Sequence, residues 1–268
     1  MELSRRATFI VAGLAWIVAL FLLLPGLITV PVSLNDSRFV RMPSGSLSTR
    51  HYETLFTDPG WLSSFLDSLV IAAAAGVLAT VLGTLCAVGL WRLSGKLVAI
   101  AGAIVLVPML LPPVVAALAM YRTWVALGLY DTRLGVIIAH TIIALPYVVI
   151  TVTTSLALLD GRLEHAARSL GASPVRAMRD VILPNIKGGV ITGAIFAFII
   201  SWDEIVVTLF ISTRAVYTLP RKMWDGIREN IDPTVAAVAS LLMAMTVIGV
   251  AFAILKSVRK ARSQPDSR

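Results

Sequence analysis

The sequence predicts an all-α protein that crosses a membrane six times. Of its 268 residues, 57% are hydrophobic and only 14% are charged, whereas ordinary soluble domains carry about 25% charged residues. A soluble domain of this length would leave much of that apolar surface exposed in large patches. The composition therefore argues against soluble, disordered and disulfide-rich proteins. The single cysteine, Cys86, lies in an apolar run and has no second cysteine with which to form a disulfide.

Six stretches are long and apolar enough to cross a hydrocarbon core about 30 Å thick, which takes about 20 helical residues. The spans are predicted at residues 7–30, 66–91, 97–120, 134–158, 189–211 and 235–255, within one transmembrane domain over residues 1–268. The first apolar run is longer than the core of a secretory signal, typically about 7–15 residues, so we interpret it as an uncleaved span. Prolines within or at the ends of the spans predict kinked helices: Pro25, Pro108, Pro112, Pro113 and Pro146.

The distribution of basic residues predicts the orientation of these spans. With the N-terminus inside, the inner segments hold 14 of the Lys and Arg residues and five of the acidic residues. The outer side then holds nine basic and ten acidic residues, so the net charge is +9 inside and −1 outside. Inner loops of membrane proteins are enriched in Lys and Arg. We therefore predict that both termini are cytoplasmic, and we attribute the net charge of +8 to topology and not to a nucleic-acid partner.

The longest inner loop, residues 160–188, carries the most specific pattern in the chain. Its first part, residues 161–170, is rich in Ala, Leu and Arg and predicts a short helix. Gly171 can adopt a positive φ and end that helix. Ser173 is a good N-cap, and Pro174 a good first residue, for a second helix.

The second helix of this loop is predicted to run to about Ile182, where Leu183-Pro184 stops it. Two short helices displayed on the cytoplasmic face are typical of a docking element for a partner protein. The alternative is a solvated connector that binds nothing.

The spacing within this loop resembles the EAA loop of ABC-transporter permease subunits. That motif consists of Glu-Ala-Ala, three residues, Gly, nine residues and Ile-x-Leu-Pro. The corresponding residues here are His165, Ala166, Ala167, Gly171, Val181, Ile182, Leu183 and Pro184. His165 stands where the motif has Glu, and the carboxylate lies one residue earlier, at Glu164. Any contact that the motif's Glu makes is therefore in question for this chain.

The resemblance implies a type I ABC importer permease fold, in which the first short helix of the loop is a coupling helix that rests on an ATP-binding subunit. A helix transmits the movement of that subunit better than a coil does. The residues expected to couple are Glu164, His165, Ala166, Ala167, Leu170, Gly171, Ala172 and Ser173. ATP and Mg²⁺ would be bound by the partner ATPase dimer. The chain itself is expected to carry no cofactor and no enzymatic activity, since its nearest approach to a P-loop, Gly89 to Leu97, has the wrong glycine spacing.

Span five contains Ser201-Trp202-Asp203-Glu204, and ionisable residues at membrane depth are functional candidates. Asp203 lies 14 residues beyond Gly189, about 21 Å along a helix, which places it in the outer half of the bilayer. A continuous helix would align the small and polar residues Gly193, Ala197, Ser201, Glu204 and Thr208. This stripe either lines a translocation path, with Ser201, Asp203, Glu204 and Thr208 as candidate residues, or packs span five against a neighbouring helix.

Residues 201–241 and 127–149 resemble the spermidine/putrescine group of these permeases, which also serves opines and related solutes. Sugar-transporting relatives commonly carry Asn where Asp203 stands, and a second carboxylate suits a polycation because each desolvated ammonium group needs compensation. The resemblance implies import across the bacterial inner membrane. The implied partners are an ATP-binding subunit dimer, a second and different permease subunit, and a periplasmic solute-binding protein.

Other functions stay open at this point. The same machinery could serve an opine, an amino-acid derivative or a phosphonate. An ion-coupled secondary transporter or a membrane scaffold would also fit the spans, although the spacing of the EAA-like loop argues against both.

The outer loop at residues 212–232 is a candidate contact for the binding protein. Pro220 can begin a short helix with Met223, Trp224 and Ile227 on one side. The alternative is an interfacial helix that Trp224 anchors at the lipid headgroups.

Two further features carry weaker predictions. The loop at residues 32–64, with Tyr52 and Trp61, is a second candidate contact for the binding protein. His140 in span four is either a proton relay or, as we favour, a histidine hydrogen-bonded between helices, since it has no ionisable neighbour in sequence.

Overall fold

The computed structural model describes residues 5–37, 39–43, 45, 47–228 and 232–262. The helices are α1 Arg5–Ser33, α2 Arg50–Thr57, α3 Pro59–Arg92, α4 Lys96–Leu110, α5 Pro113–Ala126, α6 Arg133–Ala157, α7 Arg162–Ser169, α8 Pro174–Ala177, α9 Leu183–Asp203, α10 Val206–Ile211, α11 Leu219–Arg228 and α12 Thr234–Arg262. The predicted all-α class is confirmed. Some charges in the predicted topology balance lie outside the described residues: Glu2, Arg38, Glu229, Asp266 and Arg268.

Four predicted spans are confirmed as single apolar helices long enough to cross a membrane. They correspond to α1, α3, α6 and α12. A fifth long helical stretch covers Pro174–Asp203. The described part of the chain therefore has five such helices, or six spans when the bent pair α4–α5 counts as one.

The third predicted span, residues 97–120, is not one continuous helix. It consists of α4 and α5, which meet at a bend of 106°. Leu111 is extended, with ψ of 139°, because the ring of Pro112 disfavours helical geometry at the preceding residue. Pro112 is also extended, and Pro113 begins α5 as its first residue, where the missing N–H costs nothing. The predicted kink is thus a complete break.

The fifth predicted span, residues 189–211, differs from the structure at both ends. The chain is already helical before Pro184, so the predicted stop at Leu183-Pro184 is wrong. A π-helical turn, Met178–Ile182, precedes the proline, and the Leu183 N–H donates to the Met178 carbonyl five residues back. This wider turn accommodates the Pro184 ring without ending the helix.

The C-terminal part of the same span is interrupted. Helix α9 ends at Asp203, Glu204 is extended with ψ of 114°, and α10 begins at Val206. The predicted continuous stripe from Gly193 to Thr208 is therefore divided between two helices.

The chain forms two compact units, one of Met1–Leu62 with Met223–Arg268 and one of Ser63–Lys222. The single domain over residues 1–268 stays a prediction. In the first unit the Tyr52 hydroxyl hydrogen-bonds Ser33 at 2.7 Å and Ser240 at 3.0 Å. Trp61 is buried. Contact of the loop at residues 32–64 with a binding protein stays a prediction.

The second unit is built on the packing of α6 against α9. Buried residues of these helices, among them Ala144, Val148, Val152, Ile186 and Ala197, form one apolar cluster. Gly189 and Gly193 bring the two backbones close, since a Cβ at either position would overlap Ser155 or Thr151 of α6. Small residues at such crossings are typical of membrane helices.

This crossing predicts that alanine is destabilising at Gly189 but tolerated at the adjacent Gly188. A Cβ at Gly189 would lie 2.8 Å from the Thr151 carbonyl oxygen, whereas one at Gly188 would meet nothing within 4 Å. Overpacking costs roughly 1–3 kcal/mol, and we expect Gly189→Ala to lower the melting temperature by roughly 3–10 °C. Gly188→Ala is the matched control and should leave it unchanged in a thermal-shift measurement on the purified protein. Equal melting temperatures for the two variants would contradict the close crossing.

Candidate functional site

The loop at residues 160–188 begins with α7, and its backbone ends that helix as the sequence predicted. Gly171 has φ of +88°. Its N–H donates to the Arg168 carbonyl at 3.0 Å, and the Ala172 N–H donates to the Ala167 carbonyl at 3.1 Å. This pair of bonds is a Schellman motif, which satisfies the last carbonyls of α7 and requires a left-handed residue at Gly171.

The second helix of the loop also begins as predicted. The Ser173 hydroxyl accepts a hydrogen bond from the Arg176 N–H at 3.3 Å, and Pro174 is the first residue of α8. Both short helices are therefore held by their own caps, so the loop is a preformed surface.

The surface of this loop carries two strongly exposed apolar side chains. Leu170 is 90% exposed and Val175 is 77% exposed. The remaining candidate residues fall into two groups: His165, Ala166, Gly171 and Ser173 are exposed, whereas Ala167 and Ala172 are half-buried. Exposed apolar side chains of this kind commonly mark a surface that a partner covers.

Glu164 differs from the other candidates because it faces its own chain. Its carboxylate accepts a hydrogen bond from the Arg92 guanidinium at 2.7 Å, and the two side chains are 16% and 33% exposed. Arg92 is the last residue of α3, so the pair fastens α7 to the end of that helix. Sequence reasoning missed Arg92 because the two residues are 72 positions apart.

We expect Glu164→Arg to loosen α7, because it places two guanidinium groups together and removes a partly exposed ion pair that is worth about 1 kcal/mol. Amide hydrogen exchange in α7 should become about fivefold faster, and the swap Arg92→Glu with Glu164→Arg should restore the original rate. Asp180→Arg is the matched control, because it breaks the exposed Arg179–Asp180 pair in the same loop. An unchanged exchange rate in Glu164→Arg would show that the pair does not hold α7.

The break between α9 and α10 assigns different surroundings to the two acidic residues of span five. One carboxylate oxygen of Glu204 accepts a hydrogen bond from the Val207 N–H at 2.9 Å, so this side chain caps the start of α10. Asp203 ends α9 and is exposed. The cap gives Glu204 a structural role at membrane depth that the sequence did not indicate.

Both acidic residues line a cavity of about 260 Å³. Its other walls come from the two sides of the α4–α5 bend and from α6, α9 and α10: Pro108, Met109, Leu111, Pro113, Ala116, Ile143, Tyr147, Ile199, Ile200 and Val207. The cavity is therefore an apolar chamber with two carboxylates and one phenol. The sequence signal for its far wall was the cluster of prolines at residues 108–113, which predicted a kink but not a chamber.

Ser201 and Thr208, the other predicted path residues, are buried and do not line this cavity. The Nδ1 atom of His140 lies 2.9 Å from the Ser201 hydroxyl, and its Nε2 atom lies 3.0 Å from the Thr208 hydroxyl. The interhelical hydrogen bonds favoured for His140 are thus confirmed. Contact of Ser201 or Thr208 with a solute stays a prediction.

The loop that follows α10 is held by Asp131, which sequence reasoning did not single out. Its carboxylate accepts hydrogen bonds from the Ser212 hydroxyl and from the N–H groups of Thr213, Arg214 and Ala215. Partial burial raises the pKa of this carboxyl, but these hydrogen bonds outweigh burial and hold the pKa below its ordinary value. Asp131 therefore fixes the C-terminal end of α10.

The predicted outer helix is confirmed as α11. Ile227 and Trp224 are exposed, and the Arg228 guanidinium lies 5.2 Å from the centre of the Trp224 ring. Contact of this helix with a binding protein stays a prediction. No group of three or more His, Cys, Asp and Glu side chains in the described residues is arranged to hold a metal ion.

Comparison with solved structures shows the same fold in two transporters. A bacterial ABC transporter involved in the import of the acidic polysaccharide alginate matches with a TM-score of 0.71, 17% identity and coverage of 96% of this chain and 99% of that chain. An amino acid ABC transporter with histidines matches with a TM-score of 0.56, 20% identity and coverage of 79% and 98%. At these identities the likeness concerns the fold alone.

Relatives of known description match over nearly their whole length. The spermidine/putrescine transport system permease protein PotC of Haemophilus influenzae is 31% identical, covering 86% of this chain and 90% of the relative. The putrescine transport system permease protein PotI of Escherichia coli K12 is 32% identical, covering 90% and 89%. The trehalose transport system permease protein SugB of Mycobacterium tuberculosis is 30% identical, covering 94% and 93%.

Relatives named as transport permeases, together with several helices long and apolar enough to cross a membrane, define the chain as a transport permease subunit of the bacterial inner membrane. Residues 79–260 match the family model described as the inner membrane component of binding-protein-dependent transport systems. The chain belongs to this family. It is therefore a transport subunit and not an enzyme.

Proposed function

We propose that the chain moves a small organic cation of the spermidine or putrescine type inward, as the permease subunit of an ATP-driven importer. The observation that carries this proposal is the cavity at the α9–α10 break, in which Asp203 and Glu204 are surrounded by apolar walls. An ammonium group that leaves water needs a fixed negative charge in exchange. Two carboxylates in one chamber suit a solute with more than one ammonium group.

Sequence identity does not indicate which solute is transported, because relatives named for polyamines and for trehalose are about equally similar to this chain. The chemistry of the cavity does discriminate between them. An uncharged sugar offers nothing to offset the cost of holding a carboxylate at membrane depth. An anionic solute such as a phosphonate would be repelled by both acids.

The exposed apolar surface of the loop supports docking of an ATP-binding subunit. Leu170 and Val175 would be covered by the partner, and Gly171 and the small residues around it would permit close approach. The other predicted coupling residues, from His165 to Ser173, lie on the same preformed loop, while Glu164 acts through Arg92. ATP and Mg²⁺ belong to that partner in this proposal.

The remaining partners follow from the family. A periplasmic binding protein would deliver the solute near α11, and a second, different permease would complete the pathway. Both termini would be cytoplasmic, an orientation that the charge balance of +9 inside and −1 outside supports.

Uptake by proteoliposomes tests this function. The chain, its ATPase, the second permease and the binding protein are reconstituted, and labelled putrescine or spermidine is added outside. We expect uptake only with ATP at the ATPase face. Uptake by the chain alone, driven by an ion gradient, would instead identify a secondary transporter. Transport of trehalose with no polyamine uptake would overturn the assignment of the solute.

A further inference from the structure

His140 touches both sides of the break in span five. Its ring lies on α6, which is continuous here, while Ser201 belongs to α9 and Thr208 to α10. The residue is 1% exposed, so both contacts are made away from water. The side chain of His140 on α6 therefore links α9 to α10.

The hydrogen bonds around Thr208 assign the protons of this network. The Thr208 hydroxyl donates to the Glu204 carbonyl at 3.3 Å, so it is available to His140 only as an acceptor. We therefore assign the ring hydrogen of His140 to Nε2, which donates to Thr208. Nδ1 is then unprotonated and accepts from the Ser201 hydroxyl, which satisfies both ring nitrogens with a neutral imidazole.

The same network reaches the cavity through Glu204. The Glu204 carbonyl accepts from Thr208, and its carboxylate accepts from the Val207 N–H at the start of α10. Residues that hold α10 in place thus hold the acidic side of the cavity as well. A buried network in which each member is satisfied favours one geometry over its alternatives.

We propose that His140 is a positioning residue that sets the angle between α9 and α10, and thereby the placement of Asp203 and Glu204 in the cavity. It acts on the solute only through these two acids. The role assigned to the cavity rests on the proposed function, whereas the positioning of the break does not depend on it.

The test measures the accessibility of the break directly. In a Cys86→Ala background, Asp203→Cys introduces a single thiol at the break, and the rate at which this thiol reacts with a small cationic reagent is recorded. Adding His140→Leu should change this rate at least about fivefold, because a break held by two buried bonds would relax. Met109→Cys in the same background, which places the thiol on the α4 wall of the cavity, is the matched control and should react at an unchanged rate.

His140→Leu is expected to fold, since the Thr208 hydroxyl keeps its bond to the Glu204 carbonyl and the freed Ser201 hydroxyl can bond a carbonyl of its own helix. Two further substitutions test whether His140 acts through its hydrogen bonds and not through packing alone. Once His140 is replaced by leucine, Ser201→Ala should have no further effect on the reaction rate of the thiol introduced by Asp203→Cys. His140→Gln should bring the reaction rate of this thiol part of the way back to its value in the protein that keeps His140. The amide nitrogen of the glutamine can still donate to Thr208.

Uptake measurements separate this inference from the function on which it partly rests. In His140→Leu the apparent KM for the polyamine should rise while association with the ATPase stays normal. An unchanged reaction rate of the introduced thiol in folded His140→Leu would overturn the positioning role whatever the solute is. A changed rate with no polyamine uptake by the native protein would support the positioning role and reject the proposed solute.

Discussion

Leu170→Glu is expected to separate the permease from its ATP-binding subunit. Leu170 follows α7 and is 90% exposed, so its substitution removes nothing from the interior of this chain. In an assembled transporter the same position would bury a carboxylate against an apolar groove. Loss of a central interface side chain costs about 2 kcal/mol or more, and an unpaired buried charge adds to that cost. We expect co-purification of the ATPase to fall by more than about tenfold.

Leu127→Glu is the matched control for this substitution. Leu127 is also an exposed leucine that follows a helix, but it lies after α5 and outside the loop. The control should retain the ATPase and the same melting temperature. Retention of the ATPase by Leu170→Glu would remove this loop from the docking surface.

Asp203→Asn is expected to weaken polyamine uptake more than Glu204→Gln does. Glu204 already accepts the Val207 N–H, and a glutamine oxygen can accept the same bond. Asp203 makes no such cap and is the carboxylate available to an ammonium group. Removal of one member of a desolvated charge pair costs about 2 kcal/mol or more, so the apparent KM should rise by at least about tenfold.

Glu204→Ala is the informative companion variant, because it removes the cap as well as the charge. We expect it to lower the melting temperature as well as uptake, since loss of a helix N-cap costs about 1 kcal/mol. Undiminished uptake in the double variant Asp203→Asn with Glu204→Gln would exclude the acid pair from the mechanism.

The long apolar runs were enough to predict most of the fold. A 20-residue hydrophobic stretch has few structures available to it in a membrane, and α1, α3, α6 and α12 follow the predicted spans closely. The caps of α7 and α8 were also predictable, because Gly171 and Ser173 act on neighbouring backbone groups.

The two broken spans show where local patterns stop being informative. Pro184 was expected to end a helix, but a π turn accommodates its ring and the helix continues. Pro112, in contrast, does break its helix. No proline marks the break at Glu204, where the structure shows a contact from His140 of α6 and a cap on α10. Arg92 and Asp131 likewise act on residues 72 and more positions away. Such pairings are set by tertiary packing.

ATP hydrolysis by the assembled complex tests the central proposal most directly. The complex of this chain with its ATPase and second permease is placed in a lipid bilayer, and hydrolysis is measured with empty binding protein and with binding protein loaded with spermidine or putrescine. We predict that loaded binding protein raises the rate severalfold above the rate with empty protein. Equal rates with and without the polyamine, in a complex that hydrolyses ATP, would contradict the proposal.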